Sequence, residues 1–307
     1  MIICCGEALI DMLPRRSTLD EPAFAPYSGG AVFNSAIALG RLGVPTEFFS
    51  GLSTDLFGEQ LRTTLAESNV GARYAHLSPR PTTLAFVRLV DGHASYVFYD
   101  EGTAGRMLES DHLPTLEGDV DAMLFGAISL ISEPCGSTYE ALMKREFPHR
   151  VTMLDPNIRP AFIPDREKHL ARIQRMIAMA DVLKLSDEDL GWFGEGGSTE
   201  DVIARWLDLG PKLVVLTQGS KGAVGYTRTL RVGVETQPVT VVDTVGAGDT
   251  FNAGILASLH DQKALSKPRI ASLSEDEIRD ALSLAAAAAA VTVSRAGANP
   301  PWRYELA

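Results

Sequence analysis

Four short strand-like segments constrain the fold of this chain more than any other feature: Ala122 to Gly126, Val151 to Asp155, Val182 to Ser186 and Lys212 to Thr217, each separated from the next by a helical pattern. Strands alternating with helices build a parallel sheet covered on both faces, because parallel neighbours need a long crossover between them. Ile2 to Gly6, apolar throughout, opens the chain as a further central strand. The expected fold class is therefore α/β. With 307 residues and 45% hydrophobic content the chain can form one large domain, or a domain with a small appendage.

One stretch interrupts this rhythm. Thr83 to Val90 and Ala94 to Tyr99 alternate and carry aromatics on either side of Asp91-Gly92, a hairpin signal. The expected arrangement is a small separate sheet made from segments 12–28 and 83–108, acting as a lid on a single domain spanning 1–307. Lids exclude water from phosphoryl transfer.

Asp243-Thr244-Val245-Gly246-Ala247-Gly248-Asp249-Thr250-Phe251-Asn252 carries the chemistry. Val239 to Val242 reads as a strand end, and Thr250 to Leu259 as a buried helix. Glycines at 246 and 248 let the backbone take positive φ and admit a ligand with no Cβ in the way. Amides at a helix N-terminus lack intrahelical acceptors and sit at the positive end of the helix dipole, so Gly246, Ala247 and Gly248 form a candidate anion hole. Asp249, in the first helical turn, is placed to take a proton from a hydroxyl attacking a phosphoryl group. A glycine-tight connection with an ordinary first-turn aspartate accounts for the same residues. The chain has no Gly-x-x-x-x-Gly-Lys-Ser/Thr loop, and this stretch lacks the third glycine of a dinucleotide fingerprint.

Elsewhere, polar residues gather where the strands end. Asp11 stands beyond the first strand as a candidate acceptor of sugar hydroxyls or as a turn residue before Pro14. Gly29 and Gly30 open a helix whose first turn holds Asn34, which needs a partner, either substrate or protein. Asp155, Asn157 and Arg159, then Ser186 to Asp189, then Thr217 to Gly219 converge on one sheet edge, though each alone is explained as a cap or turn. Arg159 could contact substrate or phosphoryl group. Asp187, Glu188 and Asp189 either orient magnesium-bound water or enrich a helix start in negative charge. Ala285 to Ala290, inside a helix from Ser274 to Ser294, suits tight packing or a flat adenine ring.

Composition narrows the partners. A net charge of −11 without a Lys/Arg cluster argues against nucleic acid and anionic membranes. Cys4, Cys5 and Cys135 form neither a disulfide framework nor a metal spacing, and none of the six histidines has ligand spacing. With no signal peptide or long apolar run, the expected setting is cytoplasmic.

Two separated stretches resemble, in order, the paired signatures of the ribokinase-like (PfkB) carbohydrate kinases: Gly29-Gly30-Ala31, Asn34, Ala36, Leu39, Leu42, Gly43, and Asp243-Thr244, Gly246-Ala247-Gly248-Asp249. The resemblance covers essentially the whole chain. It implies a three-layer αβα fold with a mostly parallel sheet and a β-sheet lid, transferring the ATP γ-phosphate to a sugar. By position, Asp249 would be the base, and Asp11, Gly29, Gly30 and Asn34 would hold sugar hydroxyls. Thr217, Gly219 and Gly222 with Ser186 would lie on the nucleotide side, with Asn252 and Ala286 bordering the base. Carbonyls at Asp243, Val245, Arg295 and Gly297 match the potassium loop of many members. Where members carry Asn-x-x-Glu for magnesium, this chain has Ser186-Asp187-Glu188-Asp189, so the role falls to Asp189 through water or passes to Glu188.

Gly6 to Asp11 and Asp155 to Arg159 look most like fructokinases and the neighbouring 2-keto-3-deoxygluconate kinases. Lid residues Tyr96, Phe98, Arg88 and Arg106 would line the sugar. Asp100 after Tyr99 disfavours a carboxylate substrate, while Arg88 or Arg106 would favour one. Three other readings stand beside the ketose kinase: the acid kinase, a nucleoside kinase using Phe33, Tyr96 and Phe98, and a non-catalytic sugar-binding regulator. A lid with an exposed edge implies a homodimer.

Overall fold

The computed structural model describes residues 1–90 and 93–306; the expected Asp91-Gly92 turn lies outside them, as do the side chains of Arg88 and Tyr96. The chain begins with β1 (Ile2–Cys5), β2 (Leu9–Arg16), β3 (Pro22–Gly29), α1 (Ala31–Arg41), β4 (Thr46–Phe49), β5 (Gly51–Ser53), α2 (Leu56–Glu67), β6 (Val70–Gly71), β7 (His76–Ser78), β8 (Leu84–Val90) and β9 (His93–Tyr99). It continues with β10 (Ala122–Gly126), α3 (Cys135–Glu146), β11 (Val151–Asp155), α4 (Arg166–Ile177), β12 (Val182–Ser186), α5 (Asp187–Phe193), α6 (Thr199–Leu209), β13 (Leu213–Thr217), β14 (Ala223–Tyr226) and β15 (Arg231–Val234). Helices α7 (Ala247–Asp261), α8 (Lys267–Ile270) and α9 (Glu275–Val293) close the fold.

Among the described residues the main sheet runs β15-β14-β13-β12-β11-β10-β1-β4-β6, parallel from β13 to β6 with an antiparallel edge at β14 and β15. Ile2 pairs with both Ala122 and Thr46, so the opening apolar strand is central. Two buried layers explain the unbroken apolar runs: β1 sends Ile2 and Cys4 to one layer with α1, α7 and α9, and Ile3 and Cys5 to the other with α3, α4 and α6. This is the three-layer αβα arrangement. Close contact fixes the first layer, since a Cβ at Gly254 of α7 would stand 2.4 Å from Ala285 Cα.

The second sheet, β3-β2-β8-β9, is the expected small sheet. β8 and β9 form an antiparallel pair, and β2 joins β8 in parallel, with Asp11 opposite Ala85. Asp11 thus sits on the small sheet rather than just beyond a central strand. Another expectation fails at Val239 to Val242. That segment is irregular, with Val241 and Val242 more than half exposed. β-branched residues here lack a neighbouring strand; instead the Val242 and Asp243 amides donate to the Val293 carbonyl at the end of α9.

Candidate active site

The site is built where α1 and α7 begin side by side, beneath the small sheet. Gly246 takes φ 79° as the residue before α7, and a Cβ there would lie 2.7 Å from Ala298 Cβ. Glycine is required both by that left-handed conformation and by the close approach. Helix α7 has no side-chain cap. Among the described residues the Gly248 and Asp249 amides have no acceptor, whereas the Ala247 amide of the expected anion hole donates to the Thr244 carbonyl at 3.3 Å.

Asp249 is 7% exposed and accepts a hydrogen bond from Asn34 Nδ2 at 2.9 Å. Ser35 Oγ donates to the Asp249 carbonyl at 3.0 Å, tying α1 to α7. Burial pushes the Asp249 carboxyl up to about 7; the Asn34 hydrogen bond opposes this, the Asp155 charge adds to it, and Lys184 opposes it. A carboxylate tuned to near neutrality suits a general base.

The glycine pair at 29 and 30 is dictated by neighbours. A Cβ on Gly29 would stand 2.3 Å from Asp11 Oδ2, and Gly30, at φ 111°, has the Glu7 carbonyl against the Cβ position at 2.7 Å. Asp11 is raised to about 6 by burial. Glu7, which the sequence reading did not select, accepts from the Ala31 amide at 2.8 Å and the Ser129 amide at 3.3 Å. Burial lifts it to about 7 despite those amides. Asn34 and Asp249 are thus in contact, while Asp11 lies against Gly29 just before α1, whose start Glu7 supports.

Behind α7 lies a group that sequence reasoning also missed in part. Lys184, 4% exposed, pairs with Asp155 Oδ2 at 3.0 Å, and Asn252 Nδ2 donates to the same oxygen at 2.7 Å. Asn252 is thus a buried partner of Asp155 rather than a border of the crevice. Ala286, 6% exposed and in the core with α7, is likewise packing, not an open face. The missed signal was the lysine itself, since a charge inside an apolar parallel strand must have a partner.

On the nucleotide side expected from sequence, Ser186 caps α5, and Thr217 Oγ1 donates to the Leu185 carbonyl at 3.2 Å. Gly219 turns at φ 56°, whereas Gly222 packs its backbone on β15, where a Cβ would meet the Val234 carbonyl at 2.0 Å. Asp189 departs from the magnesium role. Its carboxylate is turned inward, accepting from the Ile158 amide at 2.7 Å and from the Ser186 amide and hydroxyl, while Glu188 is exposed. A cap at the N-terminus of a short helix consumed the shorter side chain. Asp243 joins the two loops of the expected monovalent-cation site: its carboxylate accepts from the Val245 and Gly297 amides at 3.1 and 2.9 Å. Arg295 pairs through its side chain with Glu305.

Around the lid, Arg106 pairs with Asp100 at 2.8 Å, and Phe98 meets Phe162 edge-on with ring centroids 4.7 Å apart. Both pairs line a cavity of about 560 Å³ that reaches Glu7 and Thr83. Arg159 is exposed at the end of β11 and donates to the Ile158 carbonyl at 3.0 Å. Phe33 is 1% exposed and packs on Phe48, so it does not line an acceptor pocket.

Fold and site together define a carbohydrate kinase. The chain belongs to the pfkB family of carbohydrate kinases, whose family model matches residues 1–303. It is 59% identical over 280 residues to the fructokinase of Rhizobium leguminosarum bv. trifolii, covering 91% of this chain and 86% of the relative. The crystal structure of fructokinase with bound ATP from Xylella fastidiosa superposes with a TM-score of 0.89 at 30% identity, covering 99% of this chain and 97% of that one. Fructokinase from Vibrio cholerae O395, solved in a fructose, ADP and calcium ion bound form, superposes with a TM-score of 0.84 at 27% identity over 97% of this chain and 94% of that one.

Proposed function

We propose that the protein transfers the γ-phosphoryl group of ATP to a hydroxyl of fructose, with Asp249 as the base. One observation carries the chemistry: a buried carboxylate raised to about 7 shares its helical turn with amides that lack acceptors. The acceptor hydroxyl gives its proton to Asp249 while its oxygen attacks the γ-phosphorus; the bond to the bridging oxygen breaks and ADP leaves. The Gly248 and Asp249 amides, which lack acceptors, stabilise the charge on the transferring group. Asp11, Asn34, Gly29 and Gly30 hold the sugar, Arg159 reaches over it, and the small sheet with Phe98 excludes water. Arg88 and Tyr96 belong to the same lid strands.

Ser186, Thr217 and Gly219 border ATP, and the exposed Val241, Val242 and Val245 offer an apolar wall for its base. Magnesium would be held by the nucleotide phosphates, water and Glu188. Among the described residues no three His, Cys, Asp or Glu side chains cluster for a metal. The Asp243, Val245, Arg295 and Gly297 loops, adjoining through the Asp243 carboxylate, suit potassium. Three buried free thiols agree with a reduced cytoplasmic setting. Among the described residues no helix is long and apolar enough to cross a membrane.

Fructose is favoured over 2-keto-3-deoxygluconate because Arg106 already pairs with Asp100 at the cavity, so a substrate carboxylate would meet that aspartate competing for the same guanidinium. ADP release with Mg-ATP over fructose, 2-keto-3-deoxygluconate, ribose and adenosine tests the assignment. The expected result is turnover of fructose with at least tenfold higher kcat/KM than the acid, from roughly 1.4 kcal/mol of unfavourable charge. Preference for the acid or for adenosine would overturn it. The small sheet also leaves Phe24, Tyr27 and Tyr99 substantially exposed, an apolar face suited to a second copy. Sedimentation as a monomer at micromolar concentration would remove the lid-to-lid dimer.

A further inference from the structure

A buried lysine sits directly beneath the catalytic turn. Lys184 Nζ lies 3.2 Å from where a Gly248 Cβ would be, a tight approach in which any larger residue would press the ammonium aside. Its charge is enclosed at 4% exposure on β12 and pairs with Asp155 at the end of β11. The same Asp155 oxygen holds Asn252, one turn into α7, and the other accepts from the Asn157 amide at 3.1 Å. Three elements are thus joined under the Gly246–Asp249 amides.

A buried ion pair is weak support for stability: replacing one by apolar residues of similar volume is often neutral or stabilising, because desolvation offsets the attraction. What an apolar replacement cannot supply is the charge. We propose, building on the assignment of Asp249 as the base, that Lys184 is a positioning residue for phosphoryl transfer. It supplies a fixed positive charge beneath the α7 turn and sets the turn's place through Asp155 and Asn252, without touching the sugar.

The charged groups facing the turn are Glu7 after β1, Asp155 on β11 and Lys184 on β12, with Asn34 of α1 as the neutral donor. Lys184 is the cation among them. Burial alone would lower its own pKa, but Asp155, Asp189 and Asp249 outweigh this and hold it above its ordinary value, so it stays charged across the working range. That charge opposes the upward push of burial on Asp249 and favours its basic form.

Removing only the lysine would strand the Asp155 charge and risk unfolding, so the informative protein is the double variant Lys184→Met/Asp155→Asn. It has no buried Lys–Asp charge left unpaired, and the side-chain amide it carries at position 155 accepts from the Asn157 amide through its oxygen while its NH2 group can donate to Asn252 Oδ1 once that side-chain amide turns over. Wild type and variant are compared on the same sugar, whichever the wild type turns over, so that an error over fructose does not obscure the result. With the fold intact by thermal melting, kcat is expected to fall by about 10²-fold while the sugar and ATP KM values stay within about threefold, the signature of a lost transition-state effect. Measured against Asp155→Asn alone, the acid limb of the double variant should move up, as on removal of a nearby opposite charge; against wild type, loss of the Asp155 charge, which raises Asp249, offsets that movement. A ¹³C NMR titration of the aspartate carboxyls, with the Asp249 signal identified by its loss in Asp249→Asn, should show the same movement independently of activity. An Asp249 titration unmoved between Asp155→Asn and the double variant, or wild-type kcat in the double variant, would overturn the proposal.

Discussion

Asp249→Asn is expected to lower kcat by about 10³-fold, within the range that a positioned general base contributes. Sugar binding should change little. An asparagine retains a side-chain oxygen that can accept from Asn34 Nδ2, the contact that now stands at 2.9 Å. The amide cannot take the proton of the attacking hydroxyl, so the loss falls on the chemical step. Steady-state kinetics check this: a large fall in kcat with a nearly constant sugar KM supports the role, and a variant with more than a tenth of wild-type kcat removes it. The pair separates this carboxylate from Asp11, whose loss should appear in binding.

Gly29→Ala is the second large effect, and it acts through Asp11. A methyl group at 29 would occupy a point 2.3 Å from Asp11 Oδ2, closer than any real contact, so the carboxylate must swing away. Gly29 and Leu9 are register partners, two residues before Asp11 on β2, and the backbone there is held by the sheet. The side chain rather than the strand gives way. Losing hydrogen bonds from a charged acceptor costs about 1.5–3 kcal/mol, roughly a 10- to 100-fold rise in sugar KM. Nucleotide KM should be unaffected. An unchanged sugar KM would mean that Asp11 does not hold the substrate.

These expectations rest on features of unequal visibility in the sequence. Central strands were legible because both faces are buried, giving unbroken apolar runs at Ile2–Cys5 and Ala122–Gly126 and a largely apolar one, broken by Thr152, at Val151–Asp155. The small sheet was legible through its alternation. Its start was not: β2 begins at Leu9, because a strand leaving one sheet for another keeps the same extended backbone and carries no local mark. Val239 to Val242 misled for the opposite reason, since β-branched residues were taken for a strand where no partner strand lies alongside.

In the site, backbone requirements were the readable part. Gly29, Gly30, Gly246 and Gly248 each stand where a Cβ would collide or crowd, and two of them have positive φ. Side-chain direction was not readable. Asp189 lies in an acidic cluster that suits a metal, yet three residues after Ser186 it also completes a capping box, and that nearer set of donors took it. Asn252 and Ala286 follow the helical period onto the buried sides of α7 and α9, where packing decides. Lys184 and Glu7 were overlooked because their importance depends on partners 29 and 24 residues away, at Asp155 and Ala31.

The central claim, that a carboxylate raised by burial is the base for sugar phosphorylation, is tested most directly by the pH dependence of kcat/KM for fructose at saturating Mg-ATP. Asp249 must be ionised to accept the proton, and its folded pKa is about 7. The account predicts a rise of about tenfold per pH unit up to about 7 and a plateau above it. A profile that stays flat from about pH 5 to 8 would contradict it.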